Sequence, residues 1–134
     1  MLQRRLGLVL FASALWGQQA DRVLEIRTYT LKPGTRDHFH QLVVHDSLPM
    51  LARWKVDVVA FGPSLHDKDS YFLMRSFPSV EERDRVEDRF YGSDEWRKGP
   101  REAILADIKE YTTVVLPVDT ATLEGLRRIH KPKK

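Results

Sequence analysis

Residues 23–31 read VLEIRTYTL, and their side chains alternate in character from one position to the next. Two sets therefore point to opposite faces of the segment: Leu24, Ile26, Thr28 and Thr30 against Glu25, Arg27 and Tyr29. A period of two residues is typical of a β-strand. The turn-forming sequence Lys32-Pro33-Gly34 follows at once. We therefore predict a first strand over residues 23–31 that ends at this turn.

The chain after this strand alternates between helical and strand-like patterns. Thr35 is the predicted N-cap of a helix, because apolar residues then recur at spacings of three and four. Pro49 interrupts this pattern, and a second short apolar set follows it. Residues 56–61 (VDVVAF) and 71–77 (YFLMRSF) are rich in β-branched and aromatic side chains, and a turn-rich loop separates them. They predict two strands joined as a long-looped hairpin.

Two further helices and a final strand complete the order. Ser79 and Glu82 have the spacing of a capping box, which predicts a helix start. The charged residues 81–89 that follow predict a solvated helix face with charges paired four residues apart. Gly99-Pro100 begins another helix with Ile108 in its buried stripe, and residues 111–116 (YTTVVL) form the last strand.

The predicted order β-α-β-β-α-α-β fits an α+β fold with one antiparallel sheet and helices on one face. A ferredoxin-like split βαβ arrangement accounts best for this order. The helices are expected to cover the uniformly apolar strand face, which carries Leu24, Ile26, Phe72 and Met74. The other face is also too apolar for water, with Tyr29, Tyr71, Leu73, and Val59 or Phe61. Because packing two such sheets together would bury it, we predict a homodimer.

Composition excludes several classes of function. The chain has 134 residues, the size of one domain, and no cysteine. Disulfides, thiolate metal sites and cysteine nucleophiles are therefore excluded. The net charge of +3 comes from the two ends of the chain, because residues 21–126 carry 15 basic and 19 acidic side chains. A nucleic-acid-binding domain concentrates basic residues on its fold, so no nucleic-acid partner is expected.

The first 20 residues have the three regions of a signal peptide. Arg4 and Arg5 form a positive region, residues 6–16 are apolar, and residues 17–20 form a short exit that ends at Ala20. The apolar run is shorter than the roughly 20 residues that span a bilayer. We therefore expect a secreted or periplasmic protein with no integral membrane segment once the leader is removed. An uncleaved anchor and a mitochondrial-type leader are the alternatives.

Three stretches resemble the NIPSNAP family, a branch of the dimeric α/β barrel superfamily. They are residues 25–34 (EIRTYTLKPG), 57–77 (DVVAFGPSLHDKDSYFLMRSF) and 90–105 (FYGSDEWRKGPREAIL). The resemblance covers almost all of residues 23–116. It implies a ferredoxin-like subunit whose sheet packs against a partner's sheet, with a pocket inside each half of the barrel. The resulting division is a signal peptide (1–20), a barrel domain (21–118), and a short helix with a basic tail (119–134).

The resemblance leaves the chemistry open. The superfamily includes haem-degrading oxygenases, cofactor-free monooxygenases, polyketide-type cyclases and haem-dependent chlorite dismutases. A fold does not transfer a function, so the function has to be argued from the site. No residue is recognisable as a haem ligand, and no cofactor is expected.

The histidines do not form a recognisable metal site. His38 and His45 are two helical turns apart, about 10 Å, and cannot share one ion directly. His66 lies in the predicted hairpin loop. No metal is expected, and the roles of these three histidines are left open.

The strand pattern brings four candidate ligand-binding residues together. Arg27 and Tyr29 share a face of the first strand, and Tyr71 and Arg75 share a face of the third. Two guanidinium groups and two phenols in one cavity would suit an acidic or phenolic organic ligand. The alternative is a structural cross-strand charge ladder of Glu25 with the two arginines at the dimer interface.

Three functions follow from these alternatives. The first is an exported homodimer that binds a small acidic or aromatic organic ligand in its barrel. The second is a cofactor-independent monooxygenase, isomerase or cyclase of the dimeric α/β barrel type. The third is a structural or adaptor protein whose pocket is filled by its own side chains. An enzyme needs a titratable group with a perturbed pKa in the pocket, whereas a binder does not.

Overall fold

The computed structural model describes residues 20–132, so the predicted leader lies almost wholly outside the described part of the chain. Four strands form one sheet: β1 (Arg22–Leu31), β2 (Asp57–Pro63), β3 (Ser70–Phe77) and β4 (Ile108–Val118). Their order in the sheet is β2-β3-β1-β4, and every neighbouring pair is antiparallel. The predicted single antiparallel sheet, with its β2–β3 hairpin, is confirmed.

Helices fill the connections between these strands. A helical run after β1 consists of α1 (Arg36–Leu42), a π-helical turn (Val43–Ser47) and α2 (Leu48–Arg53). Between β3 and β4 lie α3 (Val80–Tyr91), α4 (Asp94–Lys98) and α5 (Arg101–Asp107). A last helix, α6 (Thr120–Ile129), follows β4. The predicted α+β, ferredoxin-like order is confirmed, with the short α4 between the two helices of the second crossover.

Local signals at the helix ends held in part. The Ser79 side chain accepts a hydrogen bond from the Glu82 backbone N–H at 3.1 Å, as a capping box requires, but the Glu82 carboxylate pairs with Arg85 instead. Thr35 is the N-cap residue of α1, as predicted, but its side chain makes no capping hydrogen bond, and its hydroxyl donates to the Lys32 carbonyl at 2.8 Å. Ile108 was expected in the buried stripe of a helix, but it begins β4.

The two faces of the sheet are covered the other way round from the prediction. Leu24 belongs to a core with Val59, Val118 and Leu123, on the face that α6 covers. Ile26 and Met74 pack against the same core, and Phe72 lies against His130 at the end of α6. Helices α1–α5 cover the face that was expected to meet a second subunit.

An aromatic and aliphatic core holds α1–α5 on their side of the sheet. Phe39 of α1 lies between the strand residues Tyr29 and Tyr71, with ring centroids 5.2 and 5.0 Å away. Phe90 and Trp96 extend this core toward the second crossover, and both are buried. Tyr29 and Tyr71 thus pack on α1, although the same face of their strands also carries charged residues.

Helix α6 covers only part of the sheet face on which it packs, which we call the α6 face. It contacts β2, and Arg127 ties it there through an ion pair of 2.7 Å with Asp57. On β4, at the far edge of the sheet, Val114 is 57% exposed opposite Ile26.

None of the helices within residues 20–132 is long and apolar enough to cross a membrane.

Candidate functional site

A buried ion pair lies at the centre of the helix-covered face. Glu25 and Arg75 are directly opposite each other on β1 and β3, and their side chains are 0% and 1% exposed. Arg75 forks onto Glu25 through two nitrogens, with its Nε at 2.9 Å from Glu25 Oε1 and its Nη2 also bonded to that oxygen. The Glu25–Arg75 pair of the alternative charge ladder is therefore present, but it lies under helix α3 and not at a subunit interface.

Helix α3 adds two more charges and a phenol to this pair. Arg83, Glu87 and Tyr91 recur every four residues and so lie on one side of the helix. Arg83 donates to Glu25 Oε2 at 2.6 Å, and its Nη2 lies 3.1 Å from Glu87 Oε2. The Tyr91 hydroxyl accepts a hydrogen bond from Arg75 at 2.9 Å. The expectation that residues 81–89 form a solvated face is wrong for this inner side of α3.

Arg27 completes what we call the charge cluster: Glu25, Arg27, Arg75, Arg83 and Glu87. Its Nε donates to Thr113 on β4 at 3.1 Å, and its Nη1 donates to the Tyr91 hydroxyl at 3.0 Å. Its Nη2 lies 3.9 Å from Glu25 and 3.8 Å from Glu87, and it donates no hydrogen bond to any residue between 20 and 132. Three guanidinium groups thus face two carboxyl groups, and one guanidinium nitrogen has no acceptor there.

The two carboxyl groups of the cluster differ in their affinity for protons. Burial opposes ionisation of Glu25, but a hydrogen bond with Glu87 and the charges of Arg75 and Arg27 outweigh it and lower the pKa of Glu25 to about 2. Burial and the neighbouring Glu25 raise the pKa of Glu87 to about 7, against the opposing charges of Arg75 and Arg27. Glu25 is therefore ionised at neutral pH, whereas Glu87 exchanges a proton there.

The geometry around Glu87 agrees with a protonated carboxyl. Its Oε1 is buried and accepts no hydrogen bond from the described residues. Arg75 Nη2 lies only 2.8 Å away, but its N–H groups are not directed at this oxygen. A proton held by Glu87 keeps it neutral beside the ionised Glu25, as in other carboxyl pairs in which only one member ionises.

A cavity of about 630 Å³, which we call the edge cavity, opens beside the charge cluster. It lies between the β1–β4 edge of the sheet and helices α3 and α5. Arg27, Tyr29 and Tyr111 line it from the strands, and Glu87, Tyr91 and Ile104 line it from the helices. This volume is within the usual range for small-molecule sites, and the lining combines aromatic walls with a few charged groups.

Two of the four predicted ligand-binding residues line the edge cavity. Arg27 and Tyr29 both do so. Tyr71 instead borders a separate void of about 40 Å³ that Tyr29 also touches, and the Tyr71 hydroxyl lies 2.7 Å from His40. Arg75 is sealed between Glu25 and α3 and lines neither space. Burial raises the pKa of both tyrosines, which keeps the phenols protonated at neutral pH.

Sequence reasoning missed the residues that α3 and β4 contribute to this site. Glu87, Tyr91 and Tyr111 were not predicted, although all three line the edge cavity. The spacing of Arg83, Glu87 and Tyr91 was a usable signal, because it places two charges and a phenol on one side of a helix.

The histidines are accounted for by single contacts. His38 Nδ1 lies 2.6 Å from the buried Asp107, and His45 lies 2.9 Å from Gln41 on its own helical run. His66 is an exposed loop residue. In the part of the chain that the structure describes, no group of three or more histidine or acidic side chains could hold a metal ion.

Comparisons with known proteins support the fold. The chain matches no family model and no curated protein. A NIPSNAP family protein of known structure from Agrobacterium tumefaciens superposes with a TM-score of 0.69 at 12% identity, over 78% of this chain and 92% of the other. A NIPSNAP-like domain protein from Burkholderia xenovorans gives a TM-score of 0.68 at 15% identity, over 75% and 88%.

The likeness extends to a second group of solved structures. A candidate antibiotic biosynthesis monooxygenase from Nitrosomonas europaea gives a TM-score of 0.55 at 11% identity, over 74% of this chain and 91% of the other. These superpositions show the fold. At identities this low, they do not transfer an activity to this chain. The chain thus has a NIPSNAP-like fold of the ferredoxin-like α+β class.

Proposed function

We propose that this protein is an exported homodimer that binds a small acidic or aromatic organic ligand in the edge cavity. The observation that carries this proposal is Arg27. Arg27 lines the cavity, and its Nη2 donates no hydrogen bond within residues 20–132. A carboxylate or phenolate oxygen would supply the missing acceptor in a charge-assisted hydrogen bond.

The charge and shape of the site favour an anion with an apolar body. The charge cluster has three arginines against two glutamates, so an incoming anion offsets an excess of positive charge. The Arg27 guanidinium lies 5.7 and 5.2 Å from the ring centroids of Tyr91 and Tyr111. These two rings, together with Ile104, provide apolar contact for an aromatic ligand next to the cation.

The adaptor alternative fits the cavity less well. A chain that served only as a structural or adaptor protein would be expected to fill this space with side chains. A volume of about 630 Å³ with a charged wall favours a working pocket.

Binding of phenylacetate tests the ligand class. We expect phenylacetate to raise the unfolding temperature by mass action, and the uncharged phenylacetamide to have little effect. Arg27→Met should weaken phenylacetate binding about 10- to 100-fold, because a hydrogen bond to a charged group is removed. Calorimetric titration measures this change. Tyr91 remains bonded to Arg75, so we expect the variant to stay folded.

The matched control is Arg85→Met, which removes an exposed arginine from the outer side of α3. It should bind phenylacetate as the unmodified protein does. The proposal fails if phenylacetate does not bind, or if Arg27→Met and Arg85→Met bind it equally well.

A cofactor-independent isomerase, cyclase or monooxygenase is the second candidate. The observation that favours it is Glu87, a carboxyl that lines the cavity and has a pKa of about 7 as a result of burial and of its neighbour Glu25. A group that titrates near the working pH suits general acid–base catalysis.

Export is supported by the three-part leader alone. We expect protein recovered from the cell envelope or the medium to begin within a few residues of Asp21. Its intact mass measures this directly, and recovery of a species that retains Met1 would contradict export with cleavage.

A further inference from the structure

We propose that Glu87 is the acid–base residue of the edge cavity and transfers a proton at the carbon next to the ketone of a bound aromatic 2-oxo acid. This inference rests on the proposed function, because Arg27 must first hold the carboxylate of the substrate. It adds to that function a reaction class, a substrate class and one catalytic residue.

The positions of the two groups carry the inference. Arg27 Nη2 and Glu87 Oε2 are 3.8 Å apart, and both residues line the edge cavity. A substrate carboxylate bonded to Nη2 therefore lies beside the Glu87 carboxyl. In a 2-oxo acid, C3 is separated from the carboxylate by the ketone carbon alone. The C3–H bonds can therefore approach Glu87 to the roughly 3 to 3.5 Å that a reacting pair needs.

The proposed step conserves every atom and needs no co-reactant. The Glu87 carboxylate takes a proton from C3, and the electron pair of the C3–H bond forms the C2=C3 double bond. The electrons of the ketone π bond move to its oxygen, and Arg27 stabilises the resulting enolate charge. Protonated Glu87 then returns the proton to that oxygen or to C3, which gives the enol or the original ketone.

Charged and polar groups surround Glu87 on three elements and set its affinity for a proton. Glu25 and Arg27 face it from β1, Arg75 faces it from β3, and Arg83 and Tyr91 flank it on α3. Arg101 of α5 and Asp88 of α3 add one positive and one negative charge to the lining.

Burial and the ionised Glu25 favour the protonated form of Glu87, whereas the arginines oppose it, and the pKa of Glu87 is raised to about 7. The carboxyl can therefore both accept and donate a proton near neutral pH. Glu25 acts as a positioning residue, because it stays ionised and holds Arg75 and Arg83 in place.

Deuterium exchange into phenylpyruvate tests this role. The full chain is added in catalytic amounts to phenylpyruvate in D₂O, and loss of the C3 proton signal is followed by NMR, with binding measured separately by calorimetry. We expect exchange faster than in buffer, in proportion to the amount of protein. The rate should rise with pH through about 7, because the base must be ionised.

Two variants separate catalysis from binding. Glu87→Gln should lower kcat for exchange about 100-fold or more while KM stays the same or falls, because the amide cannot accept the proton. Glu87→Asp keeps the carboxyl and should recover part of the rate, which also covers the case of a poorly folded Glu87→Gln. Glu82→Gln, on the exposed side of α3, is the matched control and should exchange at the unmodified rate.

The outcomes distinguish the two proposals. Phenylpyruvate that binds without faster exchange overturns the role of Glu87 and leaves the ligand site in place. Exchange that persists in Glu87→Gln, or that does not change between pH 6 and 8, also overturns it. Absence of phenylpyruvate binding overturns this inference alone if phenylacetate still binds, and it overturns the proposed function as well if phenylacetate does not bind either.

Discussion

Glu25 joins the charges of the sheet to those of α3. Its Oε1 accepts both hydrogen bonds from Arg75, and its Oε2 accepts one from Arg83. Arg75 is almost fully buried, and a buried guanidinium is stable only while it is paired. The positions of Arg75 on β3 and Arg83 on α3 therefore depend on the single carboxylate of Glu25. The same carboxylate also offsets the repulsion between Arg75 and the nearby Arg27.

Removal of the Glu25 charge should destabilise the protein strongly. We expect Glu25→Gln to lower the free energy of unfolding by about 3 to 5 kcal/mol, because it removes the carboxylate that binds Arg75 and Arg83 and leaves Glu87 alone to offset three guanidinium charges. Urea unfolding at pH 7 measures the change. The control is Glu82→Gln, which breaks a half-exposed pair with Arg85 and should change stability little. Equal stability of the two variants would show that the charge cluster does not hold the fold.

The elements of this fold were largely predictable because their signals are local. The alternation of residues 23–31 gave the first strand, and the Ser79 cap gave the start of α3 at the position observed. These features depend on a few neighbouring residues and on backbone geometry. Local signals also have limits at the ends of elements, as Ile108 shows by beginning a strand instead of continuing a helix.

The assignment of the two sheet faces was not predictable in the same way. Both faces of β1 and β3 carry enough apolar area to be buried, so alternation alone does not say which one meets the helices. Arg27 and Arg75 could face α1–α5 only because Glu87 on α3 and Glu25 on β1 compensate them. Apart from the contact of Arg27 with Glu25 on the same strand, these ion pairs join residues 12 to 60 positions apart in the chain. The charged α3 also resembled an ordinary solvated helix.

At the scale of the whole molecule, the uncovered part of the α6 face is the expected contact for a second copy. Helix α6 buries the β2 side of this face, around Leu24, Val59 and Val118. Toward β4 the face has no helix from the described chain, and the apolar Ile26 and Val114 lie there side by side. β4 is also an 11-residue edge strand, and an exposed edge of this length favours pairing with another chain.

We therefore expect the protein to be a dimer at micromolar concentration and Val114→Asp to convert it to a monomer. A charge at the centre of a buried apolar contact would lose its hydration without gaining a partner. Because Val114 is more than half exposed in the single chain, the substitution should leave the subunit folded. Sedimentation equilibrium measures the mass of each form. Leu65→Asp, in the fully exposed hairpin loop, is the matched control and should remain a dimer. A monomer for the unmodified protein, or a dimer for Val114→Asp, would exclude this face as the subunit contact.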